Sequence, residues 1–208
     1  MRSRRLRGLP TAAPAFPDVM KALLFVAALL PLVRAGFVVI TGQAVNPVEF
    51  VTHVTGTWAL VGLMVTLAVS PLRWLTGRGW LLRLRRMLGL FAFFYACLHL
   101  LTYLWLDQFF DWTAIGHDIL KRPFITLGMA AFVLLVPLAV TSTDAWMRRL
   151  KHSWGRLHRL VYPASVLAVV HYCWLVKRDL TVPLIYAGVL ALLLGLRLLR
   201  RYRERTVC

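Results

Sequence analysis

Six long apolar stretches alternate with short polar ones along this chain. They occupy residues 20–40, 51–70, 87–106, 123–140, 155–176 and 182–199, and each is close to the ~20 residues a helix needs to cross a bilayer. Between the first two, 41–50 holds Gly42, Asn46 and Pro47 and reads as a turn. Pro71 is expected to stop the second stretch. Thr141-Ser142-Thr143-Asp144 ends the fourth and suits the start of a short surface helix. Lys177-Arg178-Asp179 turns the chain into the sixth. The pattern predicts an all-α integral membrane protein, a bundle of six transmembrane helices over 20–199, between a basic tail at 1–19 and another at 200–208. Pro10, Pro14 and Pro17 keep the first tail irregular. The apolar run behind that basic start outlasts a signal-peptide core, so it is read as a span. Neither an internal repeat nor a second domain is visible.

Composition agrees. Of 208 residues, 60% are hydrophobic and only 16% charged, against roughly a quarter charged in soluble domains. The net charge of +17 raises nucleic-acid binding as an option. That option needs basic residues spread over a folded face, and here they fill the gaps between apolar blocks. Two of the three cysteines, Cys97 and Cys173, lie inside apolar stretches, so no disulfide framework is expected. Cys208 is the last residue and lacks the three that follow a prenylated cysteine.

The charge also orients the bundle. With six spans, one side receives Arg34, Lys121, Arg122, Lys177 and Arg178, which leaves 20 of the 25 Lys and Arg on the other. The poorer side holds Glu49, Asp107, Asp111, Asp118 and Asp179, five of the eight acids. The positive-inside rule then puts both termini in the cytoplasm, with the basic residues against anionic lipid.

An imidazole inside a lipid-spanning helix points to function. His99 lies twelve residues into the third span, about 18 Å from the inner surface; His171 lies fifteen beyond Arg156, about 22 Å from it. At matching depth they can hold one haem iron between the third and fifth helices, filling both axial positions and favouring electron transfer over oxygen binding. Ala92, Ala96, Ala164 and Ala168 precede the two histidines on their faces and leave room for a flat macrocycle, with Tyr95, Tyr103 and Trp174 at its edges. His158 lies about 20 Å inward of His171, a rise that suits a second haem, but some 140° around the helix. Pro163 lies between them as a source of kink or re-twist. The position thirteen before His99 is Arg86, not histidine. His53 enters the second span from the outer side as an alternative ligand, proton relay or propionate partner. His117 and His152 read as solvated. Arg85, Arg86, Arg156 and Arg159 form an inner basic rim suited to a flavin phosphate. No Gly-x-Gly-x-x-Gly follows a strand, so electrons are expected to come from and go to other molecules, and no catalytic residue is assigned. Asp111 and Asp118, in the largest outer loop, 107–122, are the acids on which acceptor docking would rest.

Several runs resemble the MsrQ (YedZ) family of the ferric-reductase-like transmembrane group. They are Arg85-Arg86-Met87-Leu88-Gly89-Leu90 leading to Leu98-His99-Leu100, Lys121-Arg122-Pro123-Phe124-Ile125-Thr126-Leu127-Gly128, Thr141-Ser142-Thr143, Leu157-His158-Arg159-Leu160-Val161-Tyr162, His171-Tyr172-x-Trp174 and Leu184-Ile185-Tyr186. His53-x-x-Gly56 also fits. The likeness covers about 45–190. It implies a bacterial inner-membrane haem b subunit, an electron-transfer component and not the catalytic one. Its electrons would come from the quinone pool or a cytosolic flavin reductase, and its acceptor would be MsrP, a periplasmic molybdopterin enzyme that reduces methionine sulfoxide in oxidised proteins. The resemblance further implies His99, His171 and His158 as haem ligands, one haem or two, and FMN. Two other readings stand beside it: a b-type cytochrome or ferric reductase with another acceptor, and a small transporter with histidine proton relays.

Overall fold

The computed structural model describes residues 16–176 and 179–206. Most of the amino-terminal tail, the Lys177–Arg178 turn and Cys208 lie outside them. The described residues are helical almost throughout: α1 (Phe16–Ile40), α2 (Pro47–Thr76), α3 (Leu82–Leu101), α4 (Trp112–Lys121), α5 (Pro123–Val140), α6 (Asp144–Leu150), α7 (His152–Leu157), α8 (Val161–Leu175) and α9 (Thr181–Thr206). Among the described residues five helical stretches are long and apolar enough to cross a membrane: Val19–Ile40, Pro47–Thr76, Gly79–Asp107, Pro123–Val140 and Thr181–Glu204.

The fifth expected span, 155–176, is interrupted. A 3-10 turn, His158–Leu160, separates α7 from α8, which keeps 15 residues. Pro163 explains it. Its ring collides with the carbonyl four residues back, that of Arg159, and the tighter turn relieves the clash. Three residues in 3-10 geometry add about 60° of rotation, which brings His158 and His171 closer in azimuth than a uniform helix would.

Two helix pairs form the body, α2 against α3 and α5 against α8. Packing in lipid relies on close van der Waals fit and small residues. A Cβ on Gly62 would lie 2.9 Å from the Ala92 Cβ, so this glycine lets α2 and α3 meet. The core runs from Leu60, Leu63 and Leu67 of α2 through Leu135 and Leu138 of α5 and Ala164 of α8 to Leu190 and Leu193 of α9. Ala92 is 1% exposed and Ala164 fully buried. Their size therefore serves helix contact, not the macrocycle space expected of them.

Pro71 does not end α2. The helix continues to Thr76 and closes at Gly77, whose φ of 69° suits the left-handed cap. A proline has no N–H, so the carbonyl of Leu67 loses its helical donor, and Leu67 is completely buried. Arg197 of α9 replaces it: Nη2 donates to Leu67 O and Nη1 to Leu193 O at 2.8 Å. The guanidinium also lies 5.7 Å from the Tyr162 ring centre. Arg197 thus fastens α9 to α2 at the proline break. We expect a double-mutant cycle to show it. Arg197→Leu orphans a buried carbonyl, at about 1–3 kcal/mol, whereas in a Pro71→Ala background the substituted residue supplies the N–H itself. The two changes should couple by about 1 kcal/mol or more in detergent unfolding; additive effects would refute the clamp.

Candidate metal centre

His99 sits near the end of α3 and His171 in the last turns of α8. Their ring centres are 6.2 Å apart, with the planes at 73°. Each ring is seated on the helix opposite. His99 Nδ1 lies 3.0 Å from Thr52 O of α2, and His171 Nδ1 lies 2.6 Å from Phe124 O of α5. A carbonyl can only accept, so both Nδ1 atoms carry the proton and both Nε2 atoms keep a lone pair. That is the state in which imidazole binds a metal, with its other nitrogen fixed by a backbone acceptor.

Glycines make these seats. A Cβ on Gly56 would lie 3.0 Å from Cε1 and Nδ1 of His99; one on Gly128 would lie 2.9 Å from Nδ1 of His171. Each glycine stands one helical turn after the carbonyl that its histidine contacts, and each histidine is 47 residues beyond that carbonyl. Both glycines fall within the runs that carry the family resemblance, but their role was not read from them. The available signal was an isolated glycine inside an otherwise apolar helical stretch, which marks close approach.

The donor set fits a haem. A metal between two imidazoles, with bonds of about 2 Å and about 1 Å more to each ring centre, separates the centres by roughly 6 Å. Among the described residues no three His, Cys, Asp or Glu converge. Two nitrogens alone suit a metal whose remaining positions a macrocycle fills.

The other histidines are placed differently. His158 stacks on Trp154 at 3.9 Å, and its Nε2 lies 3.1 Å from Thr141 Oγ1. That hydroxyl already donates to Pro137 O at 2.6 Å, so Nε2 of His158 is the donor. Trp154 Nε1 completes the cluster by donating to Thr141 O at 2.9 Å. His53 is exposed, with Nε2 3.7 Å from Glu49 Oε1 on the same helix. Tyr95 is buried and donates to Ala28 O of α1 at 2.7 Å, while Trp174 is exposed.

Most of the loop expected at 107–122 is a helix, α4. Asp111 caps α4, accepting from the N–H groups of Thr113 and Ala114 at 2.9 and 3.1 Å. Hydrogen bonds from the Thr113 hydroxyl and the Ala114 N–H hold its carboxyl below the usual carboxylate range. Asp118 is 8% exposed and lies 3.2 Å from Arg122 Nε, with Tyr103 OH at 3.4 Å and Gln108 Nε2 at 3.3 Å. Asp118 is therefore not the docking acid expected of it. It ties the π-helical turn Thr102–Asp107, which follows His99, to the α4–α5 junction two residues before Phe124.

The chain matches the ferric reductase like transmembrane component over residues 55–169, a stretch that holds Gly56, His99, Gly128 and His158 and stops just short of His171. Curated relatives extend the match. A Xanthomonas campestris pv. campestris (strain 8004) protein is 59% identical over 160 residues, 77% of this chain and 73% of its own. One from Rhodospirillum rubrum is 57% identical over 87% of this chain and 88% of its own, and one from Xanthomonas oryzae pv. oryzae (strain MAFF 311018) is 52% identical over 90% and 89%. Each is named protein-methionine-sulfoxide reductase heme-binding subunit MsrQ.

The chain belongs to the MsrQ family.

No solved structure matches it. Membership in this ferric-reductase-like group makes it a multi-pass membrane protein, in keeping with its five long apolar helices.

Proposed function

We propose that the chain is the haem b subunit of a methionine sulfoxide reductase system. It passes electrons from the inner-membrane quinone pool or a cytosolic flavin reductase to a periplasmic MsrP-type molybdopterin reductase, which repairs oxidised proteins. The carrying observation is the His99–His171 pair, each imidazole protonated on Nδ1 and held by the opposite helix. The names of relatives 52–59% identical support the same reading.

In this reading His99 and His171 would hold the haem iron through Nε2, their Nδ1 atoms being engaged by backbone carbonyls. Haem b supplies a reversible one-electron centre there. Gly56 and Gly128 let the imidazoles reach the backbone, and the Thr52 and Phe124 carbonyls fix their tautomer. We assign His158, beside Thr141, as the ligand of a second haem, and read His53 as a partner of the His99–His171 haem. FMN rests on the family resemblance, with the basic rim of Arg85, Arg86, Arg156 and Arg159 as its phosphate partners. We assign six spans, α7 and α8 together making the fifth crossing and α9 the sixth. Both termini face the bacterial cytoplasm, from the division of 20 against five Lys and Arg.

The test is spectral. The purified chain should show low-spin b-type bands on reduction. An MsrP-type reductase with methionine sulfoxide should re-oxidise it faster than a ferric chelate does. The reverse order would favour a ferric reductase, and a colourless protein would end the haem reading. His158→Ala should lower haem content or slow reduction from the cytoplasmic side while the outer haem stays bound. If both are unchanged, His158 is only an interfacial residue.

A further inference from the structure

A groove of about 600 Å³ runs between α1 and α3, away from the histidine pair. Its chemistry changes along its length. On α1 the lining residues fall at positions 21, 25 and 29, and on α3 from 83 to 94, so one stripe of each helix faces in. Lys21, Arg83 and Arg86 stand at one end; Phe25, Phe91 and Phe94, with leucines between them, line the rest. The stripes span about 12 Å on α1 and about 16 Å on α3. A cationic mouth above an apolar trough of that length matches a phosphate headgroup followed by an acyl chain.

We propose that this groove binds one anionic phospholipid, its phosphate among Lys21, Arg83 and Arg86 and a chain along the phenylalanines. Charge decides between occupants. Basic pockets between membrane helices take anionic headgroups, whereas the head of an isoprenoid quinone is neutral and gains nothing from three cations. Arg86 is shared with Asp144, 2.6 Å away, and Arg83 is exposed at the mouth. The site also has a task. α1 is largely exposed: Phe25 lies edge-on to Phe91 at 5.1 Å, Tyr95 donates to Ala28 O, and Met20 and Leu24 pack on the small cluster of Val69, Leu81 and Leu84. A lipid in the groove fastens α1 to the bundle.

The experiment is native mass spectrometry of the full chain after exchange into equimolar phosphatidylglycerol and phosphatidylethanolamine. One phosphatidylglycerol should be retained in preference. Lys21→Gln with Arg83→Gln should weaken that retention about tenfold or more. Leu90→Trp, which fills the apolar half and keeps the cations, should abolish it. Monodispersity and the haem spectrum check that each variant is folded. Equal retention of the two lipids, retention unchanged by the double variant, or retention that survives Leu90→Trp overturns the proposal. So does recovery of a quinone in place of phospholipid.

Discussion

Alanine at position 99 or at position 171 should each leave the purified protein with most of its b-type absorption gone. Among the described residues the two nitrogens are the whole donor set of the site, so neither has a substitute nearby. His53 is turned toward Glu49, and His158 is engaged by Thr141. Loss of a residue that merely orients a metal ligand typically costs 10–100-fold in affinity, and loss of the ligand itself should exceed that. Each substitution removes one contact from the carbonyl of Thr52 or Phe124, which both lie inside helices already formed, so the fold should survive. Haem per polypeptide is the measurement, with far-ultraviolet circular dichroism as the check on folding. Normal haem content in both variants would remove the site from helices α3 and α8.

The second large effect comes from adding one methyl group. Gly128→Ala and Gly56→Ala would ordinarily stabilise a helix by about 1 kcal/mol each, since alanine is the better helix former. At these positions the sign should reverse for haem retention. The new Cβ at 128 would stand 2.9 Å from His171 Nδ1, closer than carbon and nitrogen can sit unbonded, so the ring must leave the Phe124 carbonyl. At 56 the corresponding contact is 3.0 Å, and the smaller displacement should do less harm. We expect a 10–100-fold weaker hold on haem for Gly128→Ala and a lesser loss for Gly56→Ala, with the helices themselves undisturbed. Gly36 and Gly188, which have nothing within 4 Å of a built Cβ, provide the controls. If all four variants keep haem equally, the glycines are not part of the seat.

Much of this was legible in the sequence. The span at 123–140 coincides with α5, because Pro123 opens it at the first helical position and Thr141 ends it. The pairing of His99 with His171 followed from depth alone, since a rise of about 1.5 Å per residue is fixed by helix geometry. What depends on tertiary context was not legible. Pro71 reads as a stop until Arg197, more than a hundred residues away, is seen to satisfy the freed carbonyl. Asp118 reads as a solvated loop acid until α4 folds it against Arg122 and Tyr103. Ala92 reads as space for a cofactor until Gly62 is found pressed upon it. A partner distant in the chain decides each of these, and no local pattern names it.

The two seats are also the same seat. Adding 72, the difference between 171 and 99, to a residue number carries Thr52 to Phe124, Gly56 to Gly128, Ala92 to Ala164, Ala96 to Ala168 and His99 to His171. The α2–α3 hairpin and the α5–α8 pair are thus one motif written twice, a repeat too sparse to see without knowing which positions touch. Symmetry of this kind makes the chain its own control. A substitution on one half has a twin on the other, and any difference between twins reports what the flanking helices, which are not duplicated, add to that side.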